Sequence, residues 1–354
     1  MKAWEQNVRK VIPYTPGEQP KIADIIKLNT NENPYAPAPG VLDAIRGTSE
    51  DSLRRYPDPS AQVLTDAIAE EYGVEPSQVF VGVGSDDVIA MSFLTFFNSD
   101  RPILFPDITY SFYDVWADVF RIPYETQPLD EAFRIRKEDY CRPNGGIIFP
   151  NPNAPTGVEE SLEMIEEIVA SNPDSVVIID EAYVDFGARS ALPLIHKYDN
   201  LLVVQTFSKS RSLAGMRIGF AFGDEGLIRY LNDVKFSFNS YTMNQTALRA
   251  GVASLKDRGY FNKTREKICA TRERTKQRLA ELGFSFPDSR SNFIFAMHNT
   301  VPAKELFDML RAHRIIVRYF PKPRIDNYLR ITIGTDAQMN EMLRVLTEYL
   351  AERV

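Results

Sequence analysis

Apolar residues along this chain fall into short unbroken runs separated by stretches with helical spacing. Val79-Phe80-Val81, Ile103-Leu104-Phe105, Gly146-Ile147-Ile148-Phe149, Val176-Val177-Ile178-Ile179 and Leu201-Leu202-Val203-Val204 are each of strand length. Between them, Leu64, Ile68 and Tyr72 share one helix face that stops at Gly73. A second helix is expected from Gly84 to Phe97, a third from Ser111 to Phe120, and Leu162, Ile165 and Val169 mark a fourth. Unbroken apolar strands alternating with helices predict a mostly parallel sheet covered on both faces, an α/β architecture. Residues 35–255 are expected to form this large domain.

Beyond it the pattern changes. Residues 256–282 are rich in Lys and Arg and end at Gly283, as a long solvated helix with a glycine stop would. Phe293-Ile294-Phe295, Ile315-Ile316-Val317 and Leu329-Arg330-Ile331-Thr332-Ile333 then read as strands. Met339, Met342, Leu343, Leu346, Tyr349 and Leu350 form the apolar stripe of a terminal helix. Residues 256–354 are thus expected to make a smaller α+β domain, completed by an irregular arm over residues 1–34.

Composition narrows the class of function. The chain has 354 residues, 44% hydrophobic and 25% charged, with 41 basic against 48 acidic side chains and a net charge of −7. That balance argues against nucleic acid or an anionic membrane as the main partner, so the basic stretch is read as the exposed face of a connecting helix. Two cysteines and three histidines without ligand spacing predict no metal site. No apolar run approaches the ~20 residues of a membrane span, and the first residues lack a signal-peptide core. A cytoplasmic protein acting on small molecules is the expectation.

Parallel sheets bind ligands beyond the carboxyl ends of their strands. Pro150-Asn151-Pro152-Asn153-Ala154-Pro155-Thr156-Gly157 follows one run, Asp180-Glu181-Ala182-Tyr183 the next, and Gln205-Thr206-Phe207-Ser208-Lys209 a third, with Ala214-Gly215-Met216-Arg217-Ile218-Gly219 close behind. A lysine in a closed crevice can form a Schiff base, and an aspartate opposite it can keep a pyridine nitrogen protonated. Ser208, Arg217 and the helix start at Gly84-Ser85-Asp86 could hold a phosphate. Gly82-Val83-Gly84 lacks the third glycine of a dinucleotide fingerprint, which counts against a nicotinamide cofactor.

With these segments in place the chain resembles the fold-type I aminotransferases that use pyridoxal 5′-phosphate, over nearly its whole length. The resemblance implies a seven-stranded-type sheet, with Lys209 as the Schiff-base lysine, Asp180 as the partner of the pyridine nitrogen, and Asn153 and Tyr183 on the phenolate oxygen. It places Ser208, Arg217, Gly84, Ser85 and, through its backbone, Asp86 around the phosphate, and Tyr110 against the ring. Within that superfamily the chain is most similar to the histidinol-phosphate aminotransferases of histidine biosynthesis. Pro13-Tyr14-Thr15-Pro16-Gly17, Leu28-Asn29-Thr30-Asn31-Glu32-Asn33-Pro34-Tyr35, Arg55-Tyr56-Pro57-Asp58 and Val317-Arg318-Tyr319-Phe320 carry that likeness. Asp107 departs from it, because a second proline is commoner there.

The implied reaction exchanges an amino group between L-histidinol phosphate and 2-oxoglutarate, giving imidazole acetol phosphate and L-glutamate. Arg330, Arg318, Tyr14 and Asn33 are the implied substrate contacts, with Arg324 a further candidate. A homodimer is implied, with Tyr56 and Tyr14 acting across the subunit boundary. Threonine-phosphate decarboxylases and aromatic-amino-acid aminotransferases of the same fold are the alternatives.

Overall fold

The computed structural model describes residues 2–21 and 23–353. The arm first pairs with the body at Ile26–Lys27 (β1). Val79–Gly82 (β2), Ile103–Pro106 (β3), Tyr124–Gln127 (β4), Ile147–Pro150 (β5), Val177–Asp180 (β6), Leu201–Thr206 (β7) and Gly219–Phe222 (β8) then form one sheet in the order β2-β8-β7-β6-β5-β3-β4. Strands β7, β6, β5, β3 and β4 pair in parallel, while β8 runs antiparallel to both β7 and β2.

Successive residues of these strands enter opposite cores. Ile147, Val177 and Leu201, aligned across β5, β6 and β7, pack on one face; Ile148, Ile178 and Leu202 pack on the other. Fully burying each such side chain stabilises by roughly 1.5–3 kcal/mol, so a central strand apolar at every position is locked in register. Two strands lie outside the expected runs. In β4, Tyr124, Glu125 and Thr126 are exposed at the sheet edge, so no apolar run marks it. In β8, glycine replaces an apolar opening residue because the backbone there meets another element. A Cβ on Gly219 would lie 2.2 Å from the Gly84 carbonyl carbon and 2.3 Å from the Ser85 nitrogen.

A 24-residue helix, Arg258–Glu281, leads away from this sheet, and Gly283 follows its end with φ +83°. Phe284–Ser285 (β9), Phe293–His298 (β10), Ile315–Ile316 (β11), Arg318–Tyr319 (β12) and Leu329–Thr332 (β13) come next. An antiparallel sheet forms in the order β12-β13-β10-β9, whereas β11 leaves it and pairs in parallel with β1 of the arm. The expected single strand 315–317 is therefore broken at Val317. Its consequence is chemical: Arg318 opens β12 directly opposite Arg330 of β13. The helix Asp336–Ala351 closes the chain, held at its start by Thr335 and Gln338 in a reciprocal cap. Among the described residues no helix is long and apolar enough to cross a membrane.

Candidate functional site

The carboxyl ends of the large sheet and the hairpin of the small one face a single cavity of about 260 Å³. Lys209, Tyr183, Tyr110, Tyr14, Arg318 and Arg330 are among its lining residues. A wider groove of about 560 Å³ beside Ser60, Arg229 and Phe236 brings none of the candidate residues together.

Asp180 is the last residue of β6 and is buried. Its carboxylate accepts from the Tyr113 hydroxyl at 2.9 Å and from the Ala182 N–H at 3.2 Å. Burial pushes its carboxyl up to about 6, outweighing those two donors, and no cation is bonded to it. Lys209, three residues past β7, is half-buried. Its Nζ lies 3.4 Å from the Thr30 carbonyl and 5.7 Å from the centre of the Tyr183 ring. The Tyr183 hydroxyl accepts from Asn31 Nδ2 at 2.9 Å, which leaves its own proton free to donate.

At the same carboxyl end of β7, Gly82, Gly219 and Thr206 align across β2, β8 and β7. The Thr206 and Ser208 hydroxyls lie 2.9 Å apart. Gly84, at φ +87°, opens the helix Ser85–Phe96, and a Cβ there would sit 2.3 Å from Arg217 Nη2. A helix start with unpaired first-turn N–H groups, two hydroxyls and a guanidinium therefore converge.

Above, Arg318 and Arg330 stand side by side across the hairpin. Like charges directly opposite each other destabilise a strand pair, and among the described residues neither has a carboxylate partner. Arg330 is held by the Asn29 carbonyl at 3.0 Å and lies between the Phe293 and Phe320 rings at 5.4 and 5.6 Å. Burial lowers its pKa from the usual guanidinium value. Tyr14 stacks on Phe112 at 4.1 Å beside them, and burial raises its phenol.

Several placements differ from expectation. Tyr14 lines the cavity of its own chain. Asn33 donates to the carbonyls of Lys209 and Ser210 and accepts from the Tyr35 N–H, so it ties the arm to the lysine loop with both amide protons engaged. Asn153 donates to the Ile108 carbonyl and the Thr156 hydroxyl, leaving its oxygen, not a donor, unpaired. Asp86 engages through its side chain: its carboxylate accepts from Tyr110 at 2.8 Å and from Arg217 at 3.1 Å. Tyr56 is 79% exposed, stacked on Tyr241, and does not line the cavity. Arg324 is bound elsewhere, to Asp107. Reading the sequence missed Tyr113 and Asn31, which orient Asp180 and Tyr183; both contacts span long separations in the chain.

A family model for aminotransferases of class I and II matches residues 23–346. A histidinol-phosphate aminotransferase of Hydrogenovibrio crunogenus is 52% identical over 347 residues, 98% of each chain. The chain belongs to the class I and II aminotransferase family, among the histidinol-phosphate aminotransferases. The solved histidinol-phosphate aminotransferase of Sinorhizobium meliloti, in complex with pyridoxal-5′-phosphate, superposes with a TM-score of 0.84 at 25% identity, covering 93% of this chain and 92% of that one. L-threonine-O-3-phosphate decarboxylase of Porphyromonas gingivalis superposes at 0.77 with 20% identity, covering 92% and 100%, a likeness of fold alone.

An aminotransferase site must hold polar ligands, and the unpaired atoms here agree. Asn29 Oδ1, Thr109 Oγ1, Asn153 Oδ1 and Arg330 Nε are buried without a partner. The Asp180 carboxyl, raised above its unfolded value of 3.8 to about 6, gives a sign that can be tested. Between about pH 4 and pH 6 the folded chain binds more protons than the unfolded one, so this group's cost to stability grows as pH rises through that window. Ligand-free Asp180→Asn protein should therefore be more stable than the parent at about pH 8, by roughly 1–3 kcal/mol, and no more stable near pH 4. Urea unfolding at both pH values measures this; equal stability at the higher pH would contradict the buried, unneutralised carboxylate.

Proposed function

We propose that this protein is a pyridoxal 5′-phosphate-dependent histidinol-phosphate aminotransferase. It would move an amino group reversibly between L-histidinol phosphate and 2-oxoglutarate, giving imidazole acetol phosphate and L-glutamate. The observation that carries the reading is the pair of carboxylate-free guanidiniums, Arg318 and Arg330, lining the same cavity as Lys209.

The residues present fit the cofactor. Lys209 Nζ would attach its aldehyde, and Asp180, a buried carboxylate lacking a cation, suits a protonated ring nitrogen. The free proton of Tyr183 would serve the phenolate oxygen. Asn153 fits that oxygen less well, since it presents an acceptor there. Ser208, Arg217 and the N–H groups at Ser85 and Asp86 would take the phosphate, with the Asp86 carboxylate orienting Arg217 and Tyr110. Bound pyridoxal phosphate supplies a carbonyl for the amino group and a ring that accepts the electrons released at the substrate carbon.

The protein's own groups do the rest. Asp180 holds a proton on the ring nitrogen, and the cation so formed returns its carboxyl toward the ordinary range. Lys209 Nζ would take the proton from the amine-bearing carbon of the substrate and return it to the former aldehyde carbon of the cofactor, on the other side of the shared nitrogen. Asn31 keeps the Tyr183 hydroxyl turned so that it donates. Arg330 forks onto the glutamate carboxylate, while Arg318, with the Tyr14 hydroxyl beside it, takes the substrate phosphate.

The same reading assigns the cofactor to residues 35–255 and the arginines to residues 256–354, with residues 1–34 completing the smaller part. A homodimer accounts for Tyr56, whose exposed ring would reach a neighbouring subunit's phosphate cup, and a cytoplasmic location follows from the biosynthetic role. The decarboxylase alternative shares the fold, but its likeness is at 20% identity against 52% for the Hydrogenovibrio aminotransferase.

Two measurements test this. Imidazole acetol phosphate added to cofactor-loaded enzyme should consume glutamate mole for mole; carbon dioxide released from threonine phosphate, with glutamate untouched, would favour the decarboxylase. Arg318→Ala should lower kcat/KM for histidinol phosphate by about tenfold to a hundredfold, the worth of one charge-assisted contact of roughly 1.5–3 kcal/mol. Uncharged aromatic amino acids should lose far less, and an equal loss for every donor would make Arg318 structural.

A further inference from the structure

The two arginines hang from β12 and β13, whereas Lys209, Asp180 and Tyr110 belong to the large sheet. Which substrates span the cavity therefore depends on how that hairpin is held above the large sheet. The segment 320–328 joins β12 to β13, and its Arg324 reaches across. Arg324 Nη1 lies 2.9 Å from Asp107 Oδ2, and Nη2 donates to the carbonyls of Leu129 at 2.7 Å and Asp130 at 3.0 Å. Asp107 follows β3 directly, three residues before Tyr110. Its other oxygen accepts from the Leu129 N–H at 3.0 Å. Leu129 is gripped by both backbone groups, and one ion pair joins the hairpin loop to the strand end that bears Tyr110.

The loop is built around that contact. Arg324 has φ +69°, a left-handed conformation disfavoured for a residue with a Cβ, and its three side-chain bonds hold it there. Beyond it, Ile325 is buried and Tyr328 stacks on Phe295 at 4.5 Å. Before it, Phe320 lines the cavity and lies 5.5 Å from the Arg318 guanidinium and 5.6 Å from that of Arg330. Neither Asp107 nor Arg324 lines the cavity itself. Both are partly exposed, so the pair adds little to overall stability; its effect is on position.

We propose that Asp107 and Arg324 form a clasp that fixes the height of the two-arginine hairpin above Lys209, and so selects substrates long enough to carry an anionic group from the lysine to the arginines. Both are positioning residues, acting through Phe320, and the proposal rests on the aminotransferase reading. Asp107→Asn removes the charge but keeps an acceptor for Leu129. Arg324→Gly removes the side chain while suiting the left-handed backbone, so it should fold. Steady-state kinetics of the holoenzyme should show KM for histidinol phosphate raised about tenfold in each single variant and no further in the double variant. Turnover number should stay within about twofold, and cofactor absorbance and affinity should not change. KM unchanged in the single variants, multiplicative losses in the double variant, or cofactor affinity falling in step with KM would each overturn the clasp. Absence of parent turnover with histidinol phosphate would instead defeat the functional reading.

Discussion

Charges without ionic partners gather around one site from two sheets: a buried carboxylate at the end of β6, and two guanidiniums that line the cavity across a short hairpin. Isolated buried charge is among the most costly features a fold can hold. Elsewhere this chain satisfies its arginines, as where Glu71 pairs with both Arg211 and Arg258. At the cavity it does not. The arrangement is stable only because surrounding packing over-determines it, and it matches a ligand set with a cationic ring nitrogen at one end and an anion at the other.

The fold fixes where these charges sit. Asp180 and Lys209 are carried by adjacent parallel strands whose side chains are buried on both faces, so neither can shift without disturbing two cores. The arginines belong to a second core, which the arm enters through β1. Three polar contacts stitch the two parts together around the cavity: Asn31 to Tyr183, Asn33 to the backbone of Lys209, and Asp107 to Arg324. The arm is thus part of the site's wall, which explains why a segment with little regular structure carries so many asparagines.

Much of this is legible in the sequence, for a physical reason. Central strands buried on both faces must be apolar throughout, and strand-end residues follow them in sequence, so β5, β6 and β7 announced themselves together with Asn153, Asp180 and Lys209. Edge strand β4 did not, because its exposed residues need no apolar pattern. Nor did the break at Val317, where successive residues join different sheets while the local sequence stays strand-like. Tyr113 was hidden differently: nothing in a helical aromatic reveals a carboxylate 67 residues away. Asn33 and Asn153 were legible as site residues but not in their bonds, since an amide's partners depend on which carbonyls surround it.

The central claim is that Lys209 is the one lysine poised to take an aldehyde in this cavity. Borohydride reduction of the protein saturated with pyridoxal phosphate, followed by peptide mapping, measures it directly. The account predicts the pyridoxyl group on the peptide containing Lys209 and no label on that site in Lys209→Ala. Stoichiometric label on another lysine, such as Lys27 beside Thr30, or no label on any, would contradict it.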